Sequence, residues 1–402
     1  MTSFARNIVR SPASVWLLLI GWWLLGSQET AAQVAQAPVE VWVPQAPQPV
    51  TGSDGLVHVA YELHVTNYYA STGVLHLQRL TVLADESAVV LATFTGPQVN
   101  QLLAHPAATV DSAAVPIAAG HRQVFFVWLT LAAPQPRPRL LRHQLAFTTA
   151  SGQQQLVDGV RTPLNLASPP VLGPPLPEGP WLVHAGPGNH RAHHWQGVVV
   201  VNGQTTIPQR YALDFYGLTP IGHALRHPVP FDQLGTTSQA DWVGYGAEVL
   251  AVADGIVRDA RDGEPNRPPM GAQPALTDLT ERILMGNFVV LEVAPGVFAH
   301  YAHLQPGSLT VKAGDRVQRG AVLGRLGQSG QAPLPHLHFQ LSNAVTFEES
   351  EGLPFVLRAF ARTGTATLSE VLDQPAKALA APALAKPCQQ ELPLDGDVIV
   401  FK

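Results

Sequence analysis

The chain is rich in residues that interrupt helices. It holds 36 Pro and 34 Gly among 402 residues, and a proline inside a helix removes a backbone hydrogen bond and clashes with the preceding turn. Between these breaks lie short runs of alternating and β-branched residues, as in residues 57–65 (VHVAYELHV) and 123–129 (QVFFVWL). Short strands bounded by Gly, Pro, Asn and Asp are typical of β-sheet proteins. The sequence therefore predicts an all-β fold.

The distribution of these Pro- and Gly-rich breaks also divides the chain into two domains. Its 402 residues exceed one ordinary domain of about 100–200 residues. Strand-like runs over residues 38–165 predict an immunoglobulin-like β-sandwich, and a Pro-rich connector at 166–180 is expected to be extended and stiff. A second β-rich domain follows at 181–345. Residues 346–402 form a less regular tail, in which Glu351 to Phe360 is compatible with a short helix.

The N-terminal segment has the three-part order of a secretory signal peptide. Arg6 and Arg10 precede a nearly unbroken apolar run at residues 15–26, and small residues follow at 30–32. This run is shorter than the roughly 20 residues that a membrane-spanning helix needs. We predict a signal peptide at residues 1–32 and a protein exported to the periplasm, the cell envelope or the extracellular space. The alternative is an uncleaved segment, through which the protein would contact a membrane.

Charge and cysteine content exclude several classes of function. The formal net charge is -5 and charged residues make up 13%, so no electrostatic attraction to nucleic acid is expected. The single cysteine, Cys388, cannot form an internal disulfide or a cysteine-rich zinc site. A metal ion in this protein would therefore be held by histidines and carboxylates.

The sharpest local feature is the sequence PHLHF at residues 335–339. In a strand, side chains two residues apart point to the same face, so His336 and His338 project together. One imidazole can then bind a metal while its neighbour faces a substrate. Alone, a His-x-His pair is a weak signal, because two histidines on a polar strand face are common.

Several ordered motifs lie upstream of this pair. They are GAEVLAVADGIV at 246–257, GNFVV at 286–290, YAHL at 301–304 and VKAGDRVQRG at 311–320. Together with PHLHF they resemble the lysostaphin-type (LytM-like) zinc endopeptidases over about 100 residues, in a subfamily with an N-terminal β domain. The VKAGDRVQRG segment also resembles the hairpin of biotinyl and lipoyl carrier domains, but no lysine is presented at the turn and the histidines would be unexplained.

The resemblance implies an antiparallel, duplicated-hybrid-motif-like sheet and a Zn²⁺ cofactor. Asp214 and His338 would be zinc ligands, and His303 and His336 would be the catalytic residues. Zinc held by imidazoles and one carboxylate keeps an open position for water and lowers the pKa of that water towards about 7. One histidine would transfer the proton of the attacking water, and the other would hydrogen-bond the developing oxyanion.

One position departs from the family pattern. The usual first motif is H-x-x-x-D, with another zinc ligand four residues before the aspartate, and that position is Arg210 here. A guanidinium cannot bind a metal ion. Either Arg210 points elsewhere and another residue replaces the ligand, or zinc is not bound.

The candidates for the replacement are four histidines just upstream: His184, His190, His193 and His194. We favour His190, because a turn bounded by Gly and Pro can present it at the edge of a site. A loop of solvated histidines is the competing interpretation.

These features lead to two functional hypotheses. The first is a zinc-dependent endopeptidase that hydrolyses peptide bonds in peptidoglycan, with peptidoglycan peptides as its partners. The second is a catalytically inactive LytM-like domain that binds the cell wall or regulates a cell-wall hydrolase. Arg210 favours the second hypothesis, whereas the presence of Asp214, His303, His336 and His338 together favours the first.

Overall fold

Strands account for most of the regular structure of this protein. The structure, a computed structural model, describes residues 35–104, 114–131, 137–274, 280–372 and 385–401, and the predicted signal peptide lies outside them. The α-helices in the described ranges are single turns of four or five residues, and the 3-10 helices there have three or six residues, so the all-β prediction is confirmed. None of these helices is long and apolar enough to cross a bilayer.

The N-terminal unit consists of two sheets that enclose one apolar core. One sheet has the order β2-β4-β3, with β8 also paired to β4, and the other has the order β1-β10-β9-β5-β6, with β7 paired to β5. The short helix α1 (Pro97–Gln101) also belongs to this unit. Its strands are β1 (Ala35–Gln36), β2 (Val39–Trp42), β3 (Val50–Thr51), β4 (Val57–Asn67), β5 (Leu75–Ala84), β6 (Val90–Thr95), β7 (Val115–Ile117), β8 (His121–Leu131), β9 (Leu140–Thr149) and β10 (Gln154–Pro163).

Alternation along β4 decides what each face of this sandwich contacts. Tyr61, Leu63 and Val65 belong to the sandwich core. Because successive side chains of a strand point to opposite faces, Glu62 and His64 face away from that core. Both are nonetheless buried. For Glu62, the covering contacts come from the C-terminal unit, so this outer face forms part of the boundary between the two units.

The C-terminal unit is built on an 11-stranded sheet with the order β11-β23-β25-β12-β15-β22-β19-β18-β17-β20 and β24 beside β23. Its strands are β11 (Val171–Leu172), β12 (Pro180–His184), β15 (Leu213–Gly217), β17 (Gly255–Arg261), β18 (Phe288–Ala294), β19 (Val297–Ala302), β20 (Arg316–Val317), β22 (Leu337–Ser342), β23 (Val356–Thr365), β24 (Lys386–Glu391) and β25 (Asp397–Phe401). Two strand pairs lie outside this sheet: β13 (Val199–Val201) with β14 (Gln204–Thr206), and β16 (Glu248–Leu250) with β21 (Val322–Arg325). The remaining short helices are α2 (His193–Gln196), α3 (Glu281–Met285) and α4 (Leu368–Leu372).

The register of four adjacent central strands aligns the polar residues of interest. His184 on β12 lies opposite Asp214 on β15, Asp214 lies opposite His338 on β22, and His338 lies opposite Ala302 on β19. Directly paired residues in antiparallel strands project to the same face. The sheet therefore places a histidine beside a carboxylate at its centre, with His303 one residue beyond the end of β19.

The prediction of a short helix in the C-terminal tail is wrong. The segment from Glu351 to Phe360 contains no helix, and from Val356 onwards it forms β23. Long-range pairing with β24 and β25 supplies the backbone hydrogen bonds of this strand, and such tertiary contacts override local preference. Within the predicted connector, β11 pairs in parallel with β23.

Phe355→Ala should test whether the C-terminal residues are integral to the sheet. Phe355 is fully buried, and its ring centroid lies 5.3 Å from that of Phe339. Removing such a side chain leaves a cavity, so the free energy of unfolding should fall by about 3–5 kcal/mol in chemical denaturation. Phe231, which is 55% exposed, gives the matched control Phe231→Ala, with an expected change within about 0.5 kcal/mol. Equal stability of the two variants would contradict this placement.

Candidate metal centre

Asp214 and His338 form the centre of the candidate site. His338 Nδ1 lies 3.0 Å from Asp214 Oδ1, and His338 Nε2 lies 2.9 Å from Gln340 Oε1. The carboxylate and the amide oxygen both only accept, so the ring hydrogen can be donated to Asp214 from Nδ1 or to Gln340 from Nε2. With the hydrogen on Nε2, the Nδ1 lone pair and the carboxylate oxygen can both bind one cation.

His194 reaches the same carboxylate from the short helix α2. Its Nδ1 donates to the backbone carbonyl of Ala185 at 2.9 Å, which leaves the Nε2 lone pair free. His194 Nε2 lies 3.4 Å from Asp214 Oδ1, and the ring centroids of His194 and His338 are 4.8 Å apart. Two imidazole nitrogens from different elements thus converge on one carboxylate oxygen.

His336 adds a third imidazole at this oxygen. Its Nδ1 donates to the carbonyl of Leu334 at 2.8 Å, and its Nε2 lies 3.5 Å from Asp214 Oδ1. The ring is stacked on Tyr216 with a centroid separation of 5.0 Å. The hydrogen bond and the stacking both fix the orientation of the ring.

His303 lies beside His336, directly after β19. Its ring centroid is 4.7 Å from that of His336, and its Nδ1 donates to the carbonyl of Ser329 at 2.9 Å. The φ angle of His303 is 63°, in the left-handed region that non-glycine residues rarely adopt and that occurs preferentially at functional sites. The Nε2 of His303 is thereby left as a proton acceptor.

Burial and mutual contact set the charges of these residues. Burial lowers the pKa of His194, His303 and His336, so these rings are neutral at neutral pH. Burial alone would raise the pKa of Asp214, but the surrounding histidines outweigh it and hold that pKa well below its usual value. The site therefore presents one carboxylate and several neutral imidazoles.

This donor set fits zinc. Zinc sites use imidazole nitrogen and carboxylate oxygen, and the second ring nitrogen of each ligand usually donates to a carbonyl or amide oxygen. Asp214, His194 and His338 meet the first condition, and both histidines meet the second. His193, which is exposed, also offers a nitrogen within 4.8 Å of ligand atoms on His194 and Asp214, at the rim of the cluster.

Arg210 is engaged elsewhere. Its guanidinium donates to both carboxylate oxygens of Glu62, with Nη2–Oε2 at 2.6 Å and Nε–Oε1 at 3.0 Å. Its Nη1 donates to Glu351 Oε2 at 2.7 Å. All three side chains are buried. The positive charge at the position of the usual ligand is thus neutralised by two carboxylates and does not need to face the cluster at Asp214.

The structure brings together four of the five site residues predicted from the sequence: Asp214, His303, His336 and His338. Among the residues that the structure describes, no hydrogen bond, ion pair or ring contact joins His190 to them. The carbonyl of His190 accepts from Gln196 Nε2 at 2.8 Å, and its buried Nε2 has no hydrogen-bond partner within the described ranges. His194, one of the other candidates, occupies the position beside Asp214. The only local signal for it was the adjacent Trp195, a residue that has to be buried.

His303→Gln should flatten the pH dependence of stability in the metal-free protein. Because the folded state holds the pKa of His303 well below its usual value, the unfolded chain binds a proton first as pH falls. The stabilisation is therefore present above about pH 6.5 and lost below it, with up to about 1.4 kcal/mol per pH unit for one proton. Denaturation between pH 7 and 5 measures the slope. His227→Gln, at an exposed histidine, is the control, and an equal slope in both variants would contradict the assignment.

Comparisons with known proteins agree with the motifs. Residues 241–349 match the family model described as Peptidase family M23. This range contains His303, His336 and His338, whereas Asp214 and His194 precede it. No curated protein matches the chain.

Solved structures give more distant similarities. One is the SpoIIQ–SpoIIIAH pore-forming complex, with 15% identity, 46% of this chain and 89% of that chain covered, and a TM-score of 0.26. Another is the catalytic domain of lysostaphin from Staphylococcus simulans, with 21% identity, 33% of this chain and 86% of that chain covered, and a TM-score of 0.20. A third is a putative peptidase M23 from Pseudomonas aeruginosa, with 14% identity, 79% of this chain and 92% of that chain covered, and a TM-score of 0.25. TM-scores this low support no inference. The match of the family model, together with the motifs, shows that this chain carries a domain of peptidase family M23, the LytM-like family that its sequence resembles.

Proposed function

We propose that this chain is a zinc-dependent endopeptidase that hydrolyses peptide bonds in peptidoglycan. The observation that carries the proposal is the convergence of His194, His336 and His338 on one oxygen of Asp214. A carboxylate that only stabilises a fold needs no such set of buried, neutral imidazoles. Buried groups with shifted pKa values and convergent lone pairs are typical of metal-dependent catalysis.

Asp214, His194 and His338 would hold the zinc ion. When bound, zinc supplies a Lewis acid that polarises the peptide carbonyl. Gln340 and the carbonyl of Ala185 orient the two ligand rings, through the hydrogen bonds at His338 Nε2 and His194 Nδ1. Such contacts fix the tautomer and keep the coordinating nitrogen unprotonated.

His303 and His336 would transfer protons. Each has its Nδ1 hydrogen committed to a backbone carbonyl, so Nε2 is the basic atom in both rings. A neutral imidazole can accept a proton from the attacking water at Nε2 and deliver it to the leaving amine. While protonated, the same ring is a cation that stabilises negative charge on the substrate oxygen.

The substrate class rests on the family and on the predicted export. A family M23 domain supports peptide hydrolysis, and a protein exported to the cell envelope would meet peptidoglycan peptides there. The competing hypothesis of an inactive domain depended on Arg210. Since Glu62 and Glu351 neutralise Arg210, this residue no longer argues against a zinc site.

The zinc content of variants should distinguish His194 from His190 as the third zinc ligand. We expect about one zinc per chain in purified residues 33–402 by elemental analysis, because three protein ligands suffice for a catalytic zinc. His338→Ala, Asp214→Ala and His194→Ala should each lose the metal, whereas His190→Ala should retain it. Loss in His190→Ala with retention in His194→Ala would support the ligand favoured from the sequence and contradict the structural assignment.

Hydrolysis should depend on the two remaining histidines. His303→Ala and His336→Ala should keep zinc but release new amino groups from purified peptidoglycan at least about 100-fold more slowly, since proton transfer by a positioned side chain contributes roughly 10²–10⁴-fold. A chelator should abolish the wild-type reaction, and His227→Ala should react like the wild type. A zinc-loaded wild type that sediments with peptidoglycan but releases no amino groups would instead support the binding or regulatory hypothesis.

A further inference from the structure

The two segments that carry His194 and Asp214 are joined by one side chain of the N-terminal sandwich. Glu62, on β4, accepts two hydrogen bonds from Arg210, which lies four residues before Asp214. The same carboxylate accepts a hydrogen bond from the indole Nε1 of Trp195, the residue after His194. Glu62 is 2% exposed, so these bonds do not compete with water.

The helix that carries His194 contacts both units. The helix α2 has four residues, too few for its own hydrogen bonds to determine its position. His194 Nδ1 donates to the carbonyl of Ala185 in the C-terminal unit. The ring of Trp195 packs edge-on against Phe126 and Trp128 of the sandwich, with centroid separations of 5.8 and 6.1 Å. Side chains of β4 and β8 therefore contribute to the position of His194 relative to Asp214.

Arg210 is fixed from both sides in the same way. Glu351, in the C-terminal unit, accepts from Nη1, while Glu62 accepts from Nε and Nη2. Bidentate pairing of arginine with a carboxylate fixes the plane of the guanidinium as well as its distance. The loop before β15, which leads into Asp214, is thereby attached to the sandwich.

We propose that Glu62 is a positioning residue for the metal centre, so that the N-terminal sandwich completes the zinc site. The proposal rests on the zinc function proposed above. Metal ligands must be held within about 0.5 Å of the productive geometry by supporting contacts. In this chain the position usually occupied by a ligand has become Arg210, and through it and Trp195 a carboxylate of the other domain supports the two segments that carry ligands.

The zinc dissociation constant of the full chain tests this proposal. Glu62→Gln keeps the shape of the side chain but removes the charge that pairs with Arg210. We expect it to weaken zinc binding at least about tenfold in competition with a chromogenic chelator, as for other residues that support metal ligands, while saturating zinc still gives one ion per chain. Glu40→Gln makes the same change of charge in an exposed pair of this sandwich and should leave the dissociation constant unchanged.

Trp195→Phe provides a second and milder variant. It removes the indole N–H that donates to Glu62 but keeps an aromatic ring against Phe126 and Trp128. If Glu62→Gln does not fold, as judged by circular dichroism of the metal-free protein, Trp195→Phe decides the question with an expected several-fold weaker affinity.

The outcomes separate this proposal from the proposed function. Wild-type zinc affinity in the folded variants, even with a lower melting temperature, would show that Glu62 stabilises the domain contact without positioning the site, and would overturn the inference alone. A wild-type chain that binds no zinc would overturn the proposed function, and the positioning role would fall with it. Weakened binding in Glu62→Gln but not in Glu40→Gln supports both.

Discussion

The negative charge of a carboxylate buried in the centre of a sheet has to be stabilised by nearby groups. In this protein the groups around Asp214 form the candidate site. Water cannot stabilise the charge of a side chain that is 3% exposed. Three imidazoles surround it, from β22, from the turn before that strand and from α2, each oriented by a hydrogen bond at its second ring nitrogen. A cation bound among these rings would compensate the carboxylate, so a metal centre here would also meet an electrostatic need of the fold.

A second buried charge cluster lies where the two units meet. The Arg210 guanidinium donates to both carboxylate oxygens of Glu62 and to Glu351, and removing Arg210 would leave two buried carboxylates without a cation. Because Arg210 and Asp214 belong to the same short stretch before and within β15, the two clusters are coupled through the backbone. The domain contact and the candidate metal centre are therefore parts of one arrangement.

Much of the fold and of the site could be predicted from local sequence. Period-two patterns predicted β4 and β8, and the resemblance carried by the ordered motifs implied Asp214, His303, His336 and His338 as site residues. Two features could not be predicted because they depend on distant contacts. His194 is placed by Trp195 packing on Phe126 and Trp128, and the partner of Arg210 lies 148 residues earlier in the chain. The strand β23 was missed for the same reason, since its pairing partners follow much later in the sequence.

The insertion of β25 between β12 and β23 has a consequence for how the polypeptide acquires its shape during synthesis. Trp181 on β12 pairs with Ile399 on β25, so one side of β12 stays unpaired while the intervening chain is made. Contacts of such large sequence separation form slowly, and an open strand edge invites pairing with other chains. The last strand of the N-terminal sandwich, β10, ends at Pro163, whereas the C-terminal sheet is complete only after β25. In a nascent chain the sandwich strands can therefore pair long before the last strand of the C-terminal sheet exists.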